Sequence, residues 1–296
     1  MENNKEMNDT NVKLFLTIIL LYGCLTGFCQ VDLFFPLNNE LDWANFEKQN
    51  HELKTRFIKS QPNEFEYYRL NEKYTPTLSD LENHLHIIDF NGDGIDDIIF
   101  HGESGSEAKQ IMIFINTGQS FVKIFTDYQE IHKLTFINGK AHQLFIQDGG
   151  CCCDYTGIKK NYIIDYSSEL PEINLISQLK YIDRLEYPSQ YFEKPVKFEV
   201  LNDKYNIRFS PVIDDITEVF YCGEPQNGNS LGKIKSGSTG YALAEQVDTT
   251  GRIWWYVAML PQSEIYEAMY HDDVINPDFY KLGWISSRFV KEIKEQ

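Results

Sequence analysis

Asp89, Asn91 and Asp93 stand at alternate positions of the run Asp89-Phe90-Asn91-Gly92-Asp93-Gly94-Ile95-Asp96-Asp97, with Gly94 sixth and Asp97 ninth. Oxygen donors at the first, third and fifth places, a glycine at the sixth for a sharp turn and a carboxylate at the ninth suit a hard cation that takes roughly six to eight oxygens. Calcium (Ca2+) is therefore the expected ion, held by the side chains of Asp89, Asn91, Asp93 and Asp97 and by the carbonyl of Ile95. Such a site is structural, because every ligand serves to close one loop. The competing reading is an Asp-rich turn that holds no metal. A helix–loop–helix calcium site would need Glu at the twelfth position, which is Phe100 here, and the flanks Leu85–Ile88 and Asp97–Phe100 have the β-branched character of strands.

A second cluster, Gly149-Gly150-Cys151-Cys152-Cys153-Asp154, carries three of the six cysteines. Neighbouring cysteines bond to each other only with strain, so a bridge from Cys151, Cys152 or Cys153 to Cys222 is the better expectation. A thiolate metal centre fits less well, since consecutive residues on a strand point to alternating sides and do not converge tetrahedrally. A cysteine-dependent envelope enzyme, a peptidase or thiol-redox protein using Cys151–Cys153 with His101, His132 or His142, is the alternative function. No nucleophile–base arrangement stands out around them, and a non-catalytic protein is the reading preferred.

The elements that must position these residues are strands. The 296 residues are 42% hydrophobic and 14% aromatic, with 18 Tyr and 20 Phe, a composition for packed β-structure and not for a disordered chain. The net charge of -17, with no basic run longer than a pair such as Lys159-Lys160, argues against nucleic acid as a partner. Leu14–Phe28 forms an apolar stretch behind Lys13, too short for a comfortable membrane span and laid out as a signal peptide over residues 1–29. Two processing sites compete: cleavage after Cys29, releasing a soluble chain from Gln30, and a lipobox-like Leu21-Tyr22-Gly23-Cys24, which would leave a lipoprotein acylated at Cys24. Cleavage at Gln30 leaves 25 basic and 41 acidic residues, a charge of -16, in an oxidising periplasmic or extracellular setting where disulfides are the default.

Four stretches follow the signal segment. Residues 30–80 carry a short amphipathic helix in Asp42–Ser60, with Trp43, Phe46, Leu53 and Phe57 at helical spacing. Residues 81–168 read as an antiparallel β-meander, with turns at Asn91-Gly92-Asp93-Gly94, Asn116-Thr117-Gly118 and Asn138-Gly139. Residues 169–200, with Pro171, Pro188 and Pro195, read as a connector, and 201–296 as a second β-domain rich in Gly turns, with an insertion at 261–281. The fold class is thus mainly β, an antiparallel meander followed by a second β-domain; the resemblances that follow imply a partial, propeller-blade-like meander and a small barrel.

Two resemblances sharpen this. The Asp89–Asp97 loop between strands resembles the FG-GAP or VCBS-type repeat, whose hairpins hold calcium in D-x-N-x-D-G-x-x-D loops. The likeness covers one clear repeat, about residues 83–127. Tyr205–Pro211, Leu231–Gly237, Gly251–Val257 and Gly283–Phe289 resemble, in order, the strands of a bacterial SH3 domain. That resemblance implies a small barrel binding cell-wall or other short peptides, with Tyr221, Tyr241, Trp254 and Tyr256 as candidates for an aromatic binding surface. The loop 211–231 and the insertion lie where such barrels form a groove, so the family ligand does not carry over.

Overall fold

The computed structural model describes residues 41–294 apart from 42, 46, 62–63, 66–77, 105–107, 149–155, 222–223 and 270–277. The chain is mainly β and largely antiparallel, as the composition and alternation require. Four strands, β1 (Leu85–Ile88), β2 (Asp97–Glu103), β3 (Lys109–Asn116) and β4 (Phe121–Tyr128), form a meander in sequence order. Helix α1 (His51–Ser60) packs Leu53 and Phe57 on one face of this sheet, against Phe100, Met112 and Phe114. It is shorter than the pattern suggested, because the Asn50 side chain accepts from the Leu53 amide at 3.0 Å and caps it. Ahead of it Trp43–Asn45 is a single 3-10 turn, and the Lys48 amide donates to the Ile87 carbonyl along the edge of β1. A short helix α2 (Leu78–Asn83) leads into β1.

The meander continues through β5 (Glu130–Ile137), β6 (Lys140–Asp148), β7 (Thr156–Asp165) and β8 (Glu172–Ile182), which belong to a second, larger sheet. Its inner face, with Ile131, Leu144, Ile146, Tyr162 and Ile164, packs on the other face of the first sheet, with Ile99, Ile111 and Ile113. The two sheets are also joined by polar contacts. Lys160 of β7 donates to both carboxylate oxygens of Asp127 at 2.9 Å, and the Tyr162 hydroxyl donates to the same carboxylate at 2.7 Å.

The remaining strands are β9 (Val196–Val200), β10 (Tyr205–Arg208), β11 (Glu218–Tyr221), β12 (Glu224–Asn227), β13 (Ser230–Ile234), β14 (Thr239–Val247), β15 (Ile253–Met259), β16 (Ile265–Tyr266), β17 (Phe279–Ser286) and β18 (Val290–Glu292). The order β18-β9-β14-β15-β17-β8-β7-β6-β5 makes one continuous sheet, with β10, β13 and β16 branching from it. Two expectations change here. Residues 169–200 are no bare connector: β8 spans eleven residues and pairs in parallel with β17 over Phe279–Lys281, so both halves share a sheet. And no ladder among the described residues joins β18 to β13 or β16, so the C-terminal strands do not close into a barrel. β8 and β10 share one edge of β17, β8 along Phe279–Lys281 and β10 at Arg208 opposite Trp284.

Candidate functional site

The loop between β1 and β2 turns sharply, with Gly92 at φ 70° and Gly94 at φ 86°, the left-handed region that glycine enters without a steric cost. Asp89 organises it. One of its oxygens accepts from the amides of Gly92 at 2.8 Å and Asp93 at 3.1 Å, and the other from Gly94 at 3.0 Å. Asp93 accepts from the Ile95 amide at 2.7 Å and from the Asn91 side-chain amide at 2.9 Å, while the Asn91 oxygen accepts from the Asp93 amide at 3.0 Å. Asp93 is exposed, and Asp89 and Asn91 are partly so. The loop is thus closed by its own N–H donors, and among the described residues no three His, Cys, Asp or Glu side chains converge as a ready cation cage. The donor chemistry of Asp89, Asn91 and Asp93 suits calcium, provided that Asn91 turns its oxygen inward.

Asp97 differs from the other expected ligands. It is fully buried, and its oxygens accept from the amides of Phe90 at 2.9 Å and Asn116 at 2.8 Å. It anchors both ends of the loop from within instead of opening toward an ion. Burial pushes its carboxyl up to about 7, against the pull of those amides. The loop is also a junction. Lys48 donates to Asp96 at 2.5 Å, the Ala141 amide donates to the Phe90 carbonyl at 2.9 Å, and the Tyr166 hydroxyl reaches that carbonyl at 3.1 Å. The N-terminal segment and the large sheet therefore meet at this loop.

Beside it, His86 stacks flat on Trp43 with ring centroids 3.6 Å apart, and its Nδ1 lies 3.2 Å from a Glu47 oxygen. Burial pulls this imidazole down to about 4, outweighing the Glu47 contact. On the same face His101 pairs with Glu130 at 3.0 Å, and that contact foremost lowers the Glu130 carboxyl to about 2. Sequence reasoning missed the docking of Trp43 on these imidazoles, because no local pattern links residues so far apart.

The aromatic candidates in the C-terminal half do not assemble into a surface. Trp254 and Tyr256 are 2% and 1% exposed, and each packs within the core of that half. The Trp254 indole N–H finds the Asp248 carboxylate at 2.9 Å, which lets the ring sit inside. Tyr241 is half-buried against the same core, and Tyr221 lies in β11 with its side chain outside the described residues. Cys151, Cys152, Cys153 and Cys222, with Cys24 and Cys29, also lie outside them, as do residues 1–29.

What the same region does hold is an open cleft of about 480 Å³. Asn206 of β10 and Ser230, Gly232 and Lys233 of β13 form its floor, Asp215 and Gln226 one wall, and Glu267, Ala268 and Met269 the other. The walls are the two departures noted in the sequence, the loop after Pro211 and the insertion after Pro261. The described part of each is tied to the strands beneath it. Arg208, 4% exposed, donates to the Asp214 carbonyl at 3.1 Å, to the Asn229 oxygen at 2.6 Å and to Asp215 at 2.8 Å. On the other side Gly232 lets the chain come close, since a Cβ there would lie 2.6 Å from Ile265. Lys233 pairs with Glu267 across the cleft.

No protein-family model matches the chain, and comparison with curated proteins and with solved structures found no match.

Proposed function

We propose that this chain is an exported, non-catalytic protein of the bacterial cell envelope, that calcium closes its 89–97 loop, and that its C-terminal SH3-like module binds peptides or cell-wall material. The observation that carries the binding part is the cleft beside Lys233 and Glu267, walled by two loops that internal hydrogen bonds hold in place. A preformed site loses little conformational entropy on binding, and its mixed lining of Asp215, Gln226, Lys233, Glu267 and Met269 suits a ligand with amide, charged and small apolar groups, which describes a cell-wall peptide. Export rests on the apolar stretch Leu14–Phe28, and calcium on the donors of Asp89, Asn91 and Asp93 with the Ile95 carbonyl. No helix among the described residues is long and apolar enough to cross a membrane.

The test is a calorimetric titration of the full mature chain with purified peptidoglycan stem peptides. Binding that Lys233→Glu weakens about tenfold or more, with the melting temperature preserved, is the expected result. Absence of binding by the wild type, or equal binding by the variant, would set this site aside.

A further inference from the structure

Lys159 lies in the middle of β7, opposite Gln147 of β6 and Leu179 of β8, and is 8% exposed. Among the described residues no carboxylate and no hydrogen-bond acceptor meets its Nζ, and burial lowers its amine. The surroundings are aromatic instead. Nζ stands 5.2 Å from the ring centre of Tyr181 and 5.5 Å from that of Tyr187. Tyr181 is fixed in place: its ring covers Gly157, where a Cβ would be 2.2 Å away, and its hydroxyl donates to the Asp148 carbonyl and accepts from Gln147, both at 3.1 Å. Tyr187 and Tyr191 both pack edge-on against Tyr256, and the buried Tyr191 hydroxyl has no hydrogen-bond partner among the described residues.

An ammonium taken out of water with no anion beside it is far costlier than a neutral amine, and two tyrosine faces return only part of that cost. The amine is accordingly pulled down to about 7, so that much of it is uncharged at neutral pH. An uncharged amine is a nucleophile, and lysines activated by desolvation are the ones that form imines with carbonyl compounds.

We propose that Lys159 is a covalent capture site for small aldehydes, taken up as a Schiff base between the rings of Tyr181 and Tyr187. The Nζ lone pair adds to the carbonyl carbon, the carbon–oxygen π bond opens, and a proton passes from nitrogen to oxygen to give a carbinolamine. The nitrogen lone pair then expels the hydroxyl, which leaves as water with one added proton, and the nitrogen gives up its last proton to balance it. Amine and aldehyde become imine and water, with no oxidant or reductant consumed.

Brief exposure of the full chain to acetaldehyde and cyanoborohydride, followed by peptide mass spectrometry, tests this. At pH 7 Lys159 is expected to be ethylated about tenfold or more faster than the exposed Lys194, Lys204 and Lys291, because an ordinary lysine there is less than about 0.1% uncharged. Its advantage should vanish by pH 10.5, the ordinary lysine value. With one equivalent of aldehyde, the intact chain should carry one adduct that Lys159→Arg lacks. Labelling of Lys159 no faster than the exposed lysines at pH 7, or rising with pH in parallel with theirs, would overturn the proposal. The wild-type map decides this even if the variant fails to fold.

Discussion

Asp97 and His86 are two buried titratable side chains whose effects on stability run in opposite directions. Asp97 has its carboxyl raised from 3.8 to about 7, so the folded state holds the proton more tightly and stability falls as pH rises across that window. His86 is lowered from 6.5 to about 4, so the unfolded state holds the proton more tightly and stability rises with pH between those values. In the wild type the two slopes offset each other. Asp97→Asn removes one, and urea midpoints for that variant should rise from pH 4 to 6.5; a falling midpoint would contradict the assignment. Asn also leaves one of the two amide donors short of an acceptor, at a cost of about 1–3 kcal/mol. Lys159 gives a third case. Its amine is lowered from 10.5 to about 7, so wild-type stability should climb with pH between those values. Lys159→Met, of similar length and with no charge to desolvate, should stabilise the protein by a few kcal/mol at most at pH 6, since each tenfold difference in proton affinity between the folded and unfolded chain is worth about 1.4 kcal/mol, and by little at pH 10. A gain independent of pH would mean that the amine is not buried as described.

At the scale of elements, what was legible in the sequence is what local chemistry dictates. The alternation from Leu85 to Asp165 and the Asn-Gly turns appear as strands β1 to β7, and the glycines of the 89–97 loop take the turn conformation their spacing implied. What was not legible depends on distant partners. Glu172–Ile182 lies among prolines and alternates weakly, yet becomes a strand because β7 on one side and β17 on the other supply its hydrogen bonds. Alternation places Trp254 and Tyr256 on one strand face without saying what covers it; the packing of Tyr187, Tyr191 and Trp284 around Tyr256, and the burial of both rings, put that face in the core. Packing across the boundary at residue 201 depends on distant partners in the same way. β9 sits between β14 and β18, and Leu179, Tyr181, Ile182 and Leu185 belong to the C-terminal core. A fragment of residues 201–296 should therefore lack a cooperative melt and near-ultraviolet circular dichroism, whereas residues 172–296, which keep those parts, should show both. A sharp melt of the shorter piece would restore the two-domain division.

For the whole molecule, three features bear on the proposed function: an excess of acidic over basic residues, a loop with the exposed Asp93 and the partly exposed Asp89 and Asp96 where three parts of the chain meet, and a cleft held open by internal contacts. The negative field raises the local concentration of cations, and an ion at the loop would pull the N-terminal segment, the first sheet and the large sheet together. An ion bound only by the folded chain stabilises it by about 2.7 kcal/mol at a hundredfold excess over Kd. The most direct measurement is the melting temperature of the chain from Gln30 onward in millimolar calcium and in chelator, with Asp93→Ala beside it. A rise of several degrees in calcium for the wild type, absent in the variant and absent with magnesium at equal concentration, is the predicted result. Identical melting of the wild type in calcium and in chelator would contradict the account.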